Sequence, residues 1–417
     1  MTDAQQPLTN TFALALPAVL DGPLGLAVSG GGDSMAMLHL AADHARETGL
    51  RIHAVTVDHG LRPEAAEEAA FVAATCAELG LPHDVLEWRG WDETGNLQAE
   101  ARKARYRLMA DWAKAHGIST IALAHTADDQ AETFLMRLAR EAGVDGLSGM
   151  AQSRAGNGVT WLRPLLLARR QQLRDYLSQN GHAWRDDPSN EDTKYERIRA
   201  REVLAALGPL GIDAQVLSGV TRHMASARHA LEVQTRAEAE ACARIDAGDV
   251  LLARRSLATL PPEITRRILG HALKWVASAE FAPRATKLHD FSASVIAGDD
   301  AMLHGCRAMI EGNTVRITRE YHAVREKTVA SDAVWDGRWQ LSGPVANGLQ
   351  VRALGEAGLL ECPDWRETGL PRATLAASPA VWRDDVLIAA PLAGLDNEWD
   401  AELVSGAESF FESIISH

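Results

Sequence analysis

The stretch Leu26-Ala27-Val28-Ser29-Gly30-Gly31-Gly32-Asp33-Ser34 reads as a strand, three consecutive glycines and a helix start. Leu24 to Val28 is a short apolar run, and Met35, Leu38 and Ala42 follow at helical spacing over Ser34 to Arg46. Glycine permits positive φ and lets the backbone come close to a ligand. Successive amide groups at a helix N-terminus then form an anion nest, which the helix dipole reinforces. Ser29 and Ser34 add hydroxyl donors. Asp33 should repel a phosphate, and it makes sense if a divalent cation bridges it to the phosphate oxygens. The loop is not a Walker A sequence, because the Gly-Lys-Ser/Thr ending is missing, and it lacks GxGxxG spacing. On composition alone, a glycine-rich turn that merely joins strand to helix stays open.

Outward from this loop, short apolar runs alternate with amphipathic stretches. Strands are expected at Arg51 to Val57, Val85 to Trp88, Thr120 to Ala124 and Trp161 to Leu167. Helices are expected at Pro63 to Leu79, Asn96 to His116 and about Asp128 to Glu141, with Gly80 and Gly117 as stops. Strands separated by helices of this length imply βαβ units, so the fold class is α/β with a doubly wound parallel sheet. Ligands of such sheets sit beyond the C-terminal strand ends. Ser29 to Ser34, Asp58-His59 and His125 to Asp129 all fall there.

A length of 417 residues suggests two or three domains at about 150 residues each. We expect a catalytic domain over 1–205, a mainly helical domain over 206–325, and a small mixed domain over 326–417. The last holds five of the eleven tryptophans, and its tail reads as a terminal helix or a disordered end. The net charge of −14 argues against broad, unspecific nucleic-acid binding but not against a local basic groove. Residues 163–201 offer such a patch, with nine Arg or Lys against six acids, although a salt-bridged linker helix would look the same. Cys76, Cys242, Cys306 and Cys362 form no CxxC pair and read as free thiols. There is no run of about 18 uninterrupted apolar residues and no basic leader, so a cytoplasmic protein without a membrane span is expected.

Asp129 and Glu132 stand at i and i+3, on one helical face. Two carboxylates beside a phosphate loop suit a Mg²⁺ ion that offsets their repulsion. Acids in a first helical turn also suit capping, and Thr126 or Asp128 could be the cap. Arg102, Lys103, Arg105 and Arg107 form a basic run that a solvated helix face would also explain.

Ser29-Gly30-Gly31-Gly32-Asp33-Ser34 resembles the SGGxDS signature of the N-type ATP pyrophosphatases, which adenylate a carbonyl oxygen and release pyrophosphate. Val57-Asp58-His59-Gly60-Leu61-Arg62, Ala101 to Tyr106, His125 to Thr133, Gly146 to Met150 and Arg163 to Leu166 narrow the resemblance to the tRNA(Ile)-lysidine synthetase family. It is strong over about 24–205, loose over the helical region and faint at the C-terminus. It implies ATP as substrate with Mg²⁺. It also implies activation of C2 of the wobble cytidine in the CAU anticodon of isoleucine tRNA, and ligation of free L-lysine there to give lysidine. A homodimer is left open, and the C-terminal domains are expected to hold the tRNA acceptor region.

Taking the resemblance together with these residue readings, we assign catalysis to Asp33, Asp129 and Glu132, with Asp33 and Asp129 on the metal. ATP binding falls to Ser29, Gly30, Gly31, Gly32, Asp33, Ser34, Asp58 and His59. Contacts to tRNA or substrate fall to Arg105, His125, Arg163, Arg197, Arg199 and Arg201. Ile198 stands where the family pattern has asparagine. Two rivals are a tRNA 2-thiolation enzyme, opposed by the lack of a cysteine pair, and a non-catalytic ATP-binding regulator, opposed by the intact acids.

Overall fold

The computed structural model describes residues 8–58, 60, 64–88, 97–185, 196–344 and 346–415. Two compact units emerge, Met1–Arg228 and His229–Ser416. Their boundary falls inside one long helix rather than near 205 or 325.

In chain order, the first unit contains α1 (Leu8–Ala15), β1 (Leu24–Ala27), α2 (Gly32–Thr48), β2 (Ile52–Asp58), α3 (Glu64–Glu78), β3 (His83–Glu87), α4 (Leu97–Ala115) and β4 (Thr120–Leu123). It continues through α5 (Ala127–Leu138), α6 (Val144–Leu147), β5 (Ser153–Gly156), β6 (Val159–Leu162), α7 (Arg170–Gln179), α8 (Glu196–Leu207) and the start of α9 (Ala214–Cys242). The sheet order is β3-β2-β1-β4-β6-β5, parallel throughout except for the edge strand β5.

Strand residues alternate between two covers. Ile52 and Ala54 pack with buried residues of α1, α2, α3 and α7, while Val55 and Val57 pack with Met109, Trp112 and Ala113 of α4. Helices therefore cover both faces, as the α/β reading required. The strand expected at Trp161 to Leu167 starts two residues earlier and stops at Leu162, before Pro164, which has no N–H for a ladder. Its partner β5 joins it through Asn157-Gly158, both at positive φ, the signature of a tight hairpin turn.

The second unit adds α10 (Arg254–Thr259), α11 (Pro262–Val276), α12 (Ala285–Ala297) and a five-stranded antiparallel sheet. The sheet is built from β7 (Ala243–Asp246), β8 (Asp249–Ala253), β9 (Ala301–Leu303), β10 (Cys306–Glu311) and β11 (Thr314–Arg319), in the order β7-β8-β11-β10-β9. The expected mainly helical stretch 206–325 is thus helix and sheet together. Its strands have six residues at most, too few for alternation to stand out beside helical periodicity. They turn on two-residue links such as Ala247-Gly248 and His304-Gly305, all four residues at positive φ.

Further on, β12 (Thr328–Ala330), β13 (Trp339–Ser342), β14 (Leu349–Ala353), β15 (Pro379–Arg383), β16 (Val386–Ala389) and β17 (Asp400–Leu403) form two small sheets. Trp335, Trp339 and Trp399 fill the core there with Val351 and Val381. The tail ends in a short helix whose Phe410 is buried. All four cysteines are free thiols. Among the described residues, no single helix is long and apolar enough to cross a membrane.

Candidate active site at the switch point of the parallel sheet

From β1 the sheet grows one way through β2 and β3, and the other way through β4 and β6. The crevice of such a sheet opens where the order reverses, beyond the C-terminal ends of β1 and β4. The glycine loop leaves β1, and the His125 to Glu132 segment leaves β4.

Gly30 adopts φ +84° and its carbonyl accepts from the Arg185 amide at 3.0 Å. Gly31 precedes α2 and has no side chain to cap it, so the first-turn amides are open to an anion. Ser34 braces the loop: its Oγ accepts from the Ser29 amide at 3.1 Å and donates to the Gly31 carbonyl at 2.9 Å. Ser29 is exposed, with its Oγ 3.2 Å from that of Ser34.

Three acids converge on Arg170, the first residue of α7. Its Nε lies 3.1 Å from Asp33 Oδ2, its Nη2 3.3 Å from Asp129 Oδ1, and its Nη1 3.4 Å from Glu132 Oε1. Arg201 Nε reaches the same Glu132 Oε1 at 2.6 Å. Arg170 also donates its backbone amide to Asp128 Oδ2 at 2.7 Å, so Asp128 satisfies the first amide of α7. Burial lowers the Arg170 pKa, but Asp129, Asp33 and Glu132 outweigh it, and the net movement is upward. For Asp33, burial outweighs the attraction of Arg170 and raises the pKa above its ordinary value. Asp33 Oδ1 and Glu132 Oε2 are buried without a hydrogen-bond partner. Two acceptor atoms of this kind, on hard oxygen ligands, fit a divalent cation such as Mg²⁺.

Asp129 is partly structural. Its Oδ2 accepts from the Thr126 amide at 2.8 Å and the Thr126 hydroxyl at 2.9 Å, closing a capping box on α5. Thr126 is therefore the cap of α5. Beside it, His125 has a pKa pushed down to about 4, chiefly by burial and further by Arg163, Arg105 and Arg102, so its ring is neutral near pH 7. Asp58 ends β2 and accepts from the Gly60 amide at 2.8 Å. His59, Leu61 and Arg62 lie outside the described residues.

The candidate cations divide by location. Arg105 is partly buried on α4, and its pKa is lowered by burial and by Arg102 and Arg197. Arg163 is turned inward, 7% exposed, with Nη1 donating to the Ala151 carbonyl at 2.7 Å. Arg201 faces Glu132, whereas Arg197 and Arg199 are exposed on α8. Within the basic patch, Arg169 pairs with Asp213 at 3.2 Å, so part of the local excess is spent internally.

The PP-loop domain family model matches residues 5–207. A tRNA(Ile)-lysidine synthase of Ruegeria pomeroyi is 51% identical over 417 residues, covering 100% of both chains. The chain belongs to the tRNA(Ile)-lysidine synthase family. Its Bradyrhizobium diazoefficiens relative is 40% identical over 75% of this chain and 90% of that protein, and its Wolbachia pipientis relative 36% identical over 77% of each. Membership gives the PP-loop an ATP-binding role and does not favour the thiolation or regulator alternatives.

The PP-loop match ends at residue 207, where α8 ends. All the residues assigned to the site in this family member therefore lie inside it. Arg170 was not among them. Three acids without a nearby cation are a signal that a counter-charge must arrive from elsewhere, but sequence does not say from where. Gln130 and Arg137 were missed as well. Gln130 exchanges two hydrogen bonds with Met150, and Arg137 Nη1 donates to the Gly146 and Gly149 carbonyls at 2.8 and 3.1 Å. Gly149 is at φ +64°, and a Cβ there would sit 2.3 Å from Thr221 Cγ2. The Gly146 to Met150 motif is thus a pinned loop.

Proposed function

We propose that this chain ligates free L-lysine to C2 of the wobble cytidine in the CAU anticodon of isoleucine tRNA, consuming ATP and releasing pyrophosphate and AMP. The observation that carries the reading is the full-length identity of 51% to the Ruegeria pomeroyi enzyme of that name, in a chain that keeps the whole SGGxDS loop.

In this reading the open amides of the loop and the Ser29 hydroxyl hold the ATP phosphates, while Ser34 keeps the loop in shape. Cytidine O2 attacks the α-phosphorus, and the bond to the β-phosphate oxygen breaks to release pyrophosphate. The lysine ε-amine then bonds to C2, and the C2–O bond breaks to release AMP. Free lysine is mostly protonated near pH 7, its side-chain pKa being about 10.4, so the amine must lose a proton before attack. Glu132 Oε2 is the better acceptor than Asp129, whose two oxygens are taken by the cap and Arg170. The same count favours Asp33 Oδ1 over Asp129 for holding Mg²⁺, which when bound would supply charge neutralisation for the phosphates. Neutral His125 can orient a substrate group without adding charge. Exposed Arg197 and Arg199 are better placed for tRNA phosphates than inward-facing Arg163. A cytoplasmic location belongs to the same reading.

Incubation with ATP, labelled lysine and total tRNA tests it. Label is expected in isoleucine tRNA. ATP cleavage with no label in tRNA would reject lysine ligation, and sulfur incorporation from a sulfur donor would favour a thiolation enzyme.

A further inference from the structure

At the opposite end of the sheet from the glycine loop, three side chains from three elements meet. His53 is the second residue of β2, Asp84 the second of β3, and His116 directly follows α4. Val55 pairs with Asp84 across the ladder, so Asp84 lies on the α4 face beside His53, while His83 turns to the other face and meets Thr56 Oγ1 at 2.8 Å.

His53 Nε2 lies 2.9 Å from Asp84 Oδ2, and His116 Nε2 lies 3.5 Å from the same oxygen. The three ligand atoms are all within 4.8 Å of one another. Ligands about 2.0–2.1 Å from a tetrahedral Zn²⁺ stand about 3.3 Å apart, which the two measured separations bracket.

The proton arrangement points the same way. His116 Nδ1 is 2.8 Å from the Trp112 carbonyl and must carry a hydrogen to bond there. That leaves Nε2 as the ring nitrogen turned toward the carboxylate, the position of a metal-binding atom. Trp112 Nε1 also donates to Asp84 Oδ2 at 2.8 Å. A backbone carbonyl fixing an imidazole tautomer and a donor steadying a carboxylate are the outer-shell contacts metal ligands receive. Trp112 itself is 5% exposed and packed in the core, so these contacts come from a rigid base.

We propose that His53, Asp84 and His116 bind one first-row divalent transition ion, with the chemistry best suited to Zn²⁺ and a further position left to water. Two imidazoles and a carboxylate are a borderline-soft set that favours such ions over Mg²⁺. The side chains of Asp84 and His116 are 41% and 40% exposed, so a hydrated ion can reach them. The ion competes with protons for the imidazole nitrogens, so affinity falls as pH falls. The ion would tie β2 and β3 to the end of α4. No residue of the nucleotide site takes part.

The test uses the full-length protein stripped with a chelator and titrated with Co²⁺, followed by its visible absorption, then displaced by Zn²⁺. One equivalent of Co²⁺ is expected in a His-containing site. His116→Ala and Asp84→Asn should each weaken binding by more than the roughly 10–100-fold lost with an outer-shell partner. Asp84→Asn keeps an oxygen for Trp112 and guards against a folding failure in the first variant. Asp33→Asn, at the other cation site, should leave the Co²⁺ spectrum unchanged. No Co²⁺ binding by the wild type, or equal binding by both ligand variants, would overturn the proposal. Loss of the spectrum in Asp33→Asn would place the ion elsewhere and overturn it too.

Discussion

Around Asp336 in the second unit, both carboxylate oxygens have donors. Oδ2 accepts from Arg319 Nε at 2.8 Å, and Oδ1 accepts from Arg319 Nη2 at 3.2 Å and Lys327 Nζ at 2.5 Å. Around Asp33 in the first unit, Oδ2 meets Arg170 at 3.1 Å while Oδ1 is buried with no partner. Both clusters set acids against arginine in a partly desolvated setting. One is finished and acts as a staple. The other is short of donors, with Arg170 shared among three acids and Arg201 reaching only Glu132, and an incomplete network of that kind is where an incoming ligand can gain by completing it.

The largest effect should come from Asp33→Ala. In the proposed role Asp33 would hold the metal, worth several kcal/mol of transition-state stabilisation, so pyrophosphate release in the presence of tRNA and ATP should fall by at least about 100-fold. Release at the wild-type rate would remove Asp33 from the chemistry.

Arg170→Ala and Arg319→Ala separate the two clusters directly. Arg170→Ala takes the arginine from part-buried Asp33 and should cost about 3–5 kcal/mol in urea unfolding, whereas Arg319→Ala leaves Asp336 with Lys327 and should cost less. Added Mg²⁺ should restore much of the loss in Arg170→Ala, since the three acids can then take a cation instead, and none of it in Arg319→Ala. Equal responses to Mg²⁺ would dissolve the distinction.

The raised pKa of Asp33 gives a subtler contrast. The folded protein holds this proton at pH values where the unfolded chain has released it. That contribution is complete below the ordinary value of 3.8 and is lost as pH rises through the raised one. Asp33→Asn lacks the titration. Without Mg²⁺, its urea midpoint should therefore gain on the wild type as pH rises from about 4. A gap that stays constant across this range would contradict the desolvation of Asp33.

The smallest effect belongs to Thr126→Ala, which removes the α5 cap and should cost about 1 kcal/mol in thermal or urea unfolding. An unaltered midpoint would mean that the capping box adds nothing beyond the packing of α5.

The parallel sheet was legible because each of its features is local. Apolar runs, helical spacing and glycine stops placed β1, β2, β4 and their helices within a few residues, and the loop chemistry of Ser29 to Ser34 followed from composition. Asp129 was only half readable: its spacing to Glu132 showed a shared face, but the capping box with Thr126 depends on a rotamer. Arg163 and Arg201 looked like their neighbours in a basic patch, yet they point inward while Arg197 and Arg199 point out. No charge count distinguishes these. The sheet of the second unit escaped because its strands are short and its turns used Ala247 and His304, residues that rarely take positive φ. Asn157-Gly158 was a readable hairpin signal.

The Arg170–Asp33 bridge spans 137 residues of chain. At a synthesis rate of about 5–20 residues per second, the ribosome needs roughly 7–27 s to travel from one partner to the other. For that interval the glycine loop and its aspartate are already made while their counter-charge does not yet exist. Asp129 and Glu132 appear in the meantime as further negative charge. The nascent chain therefore carries all three acids before the arginine that bridges them, and translation of the first residue of α7 supplies it.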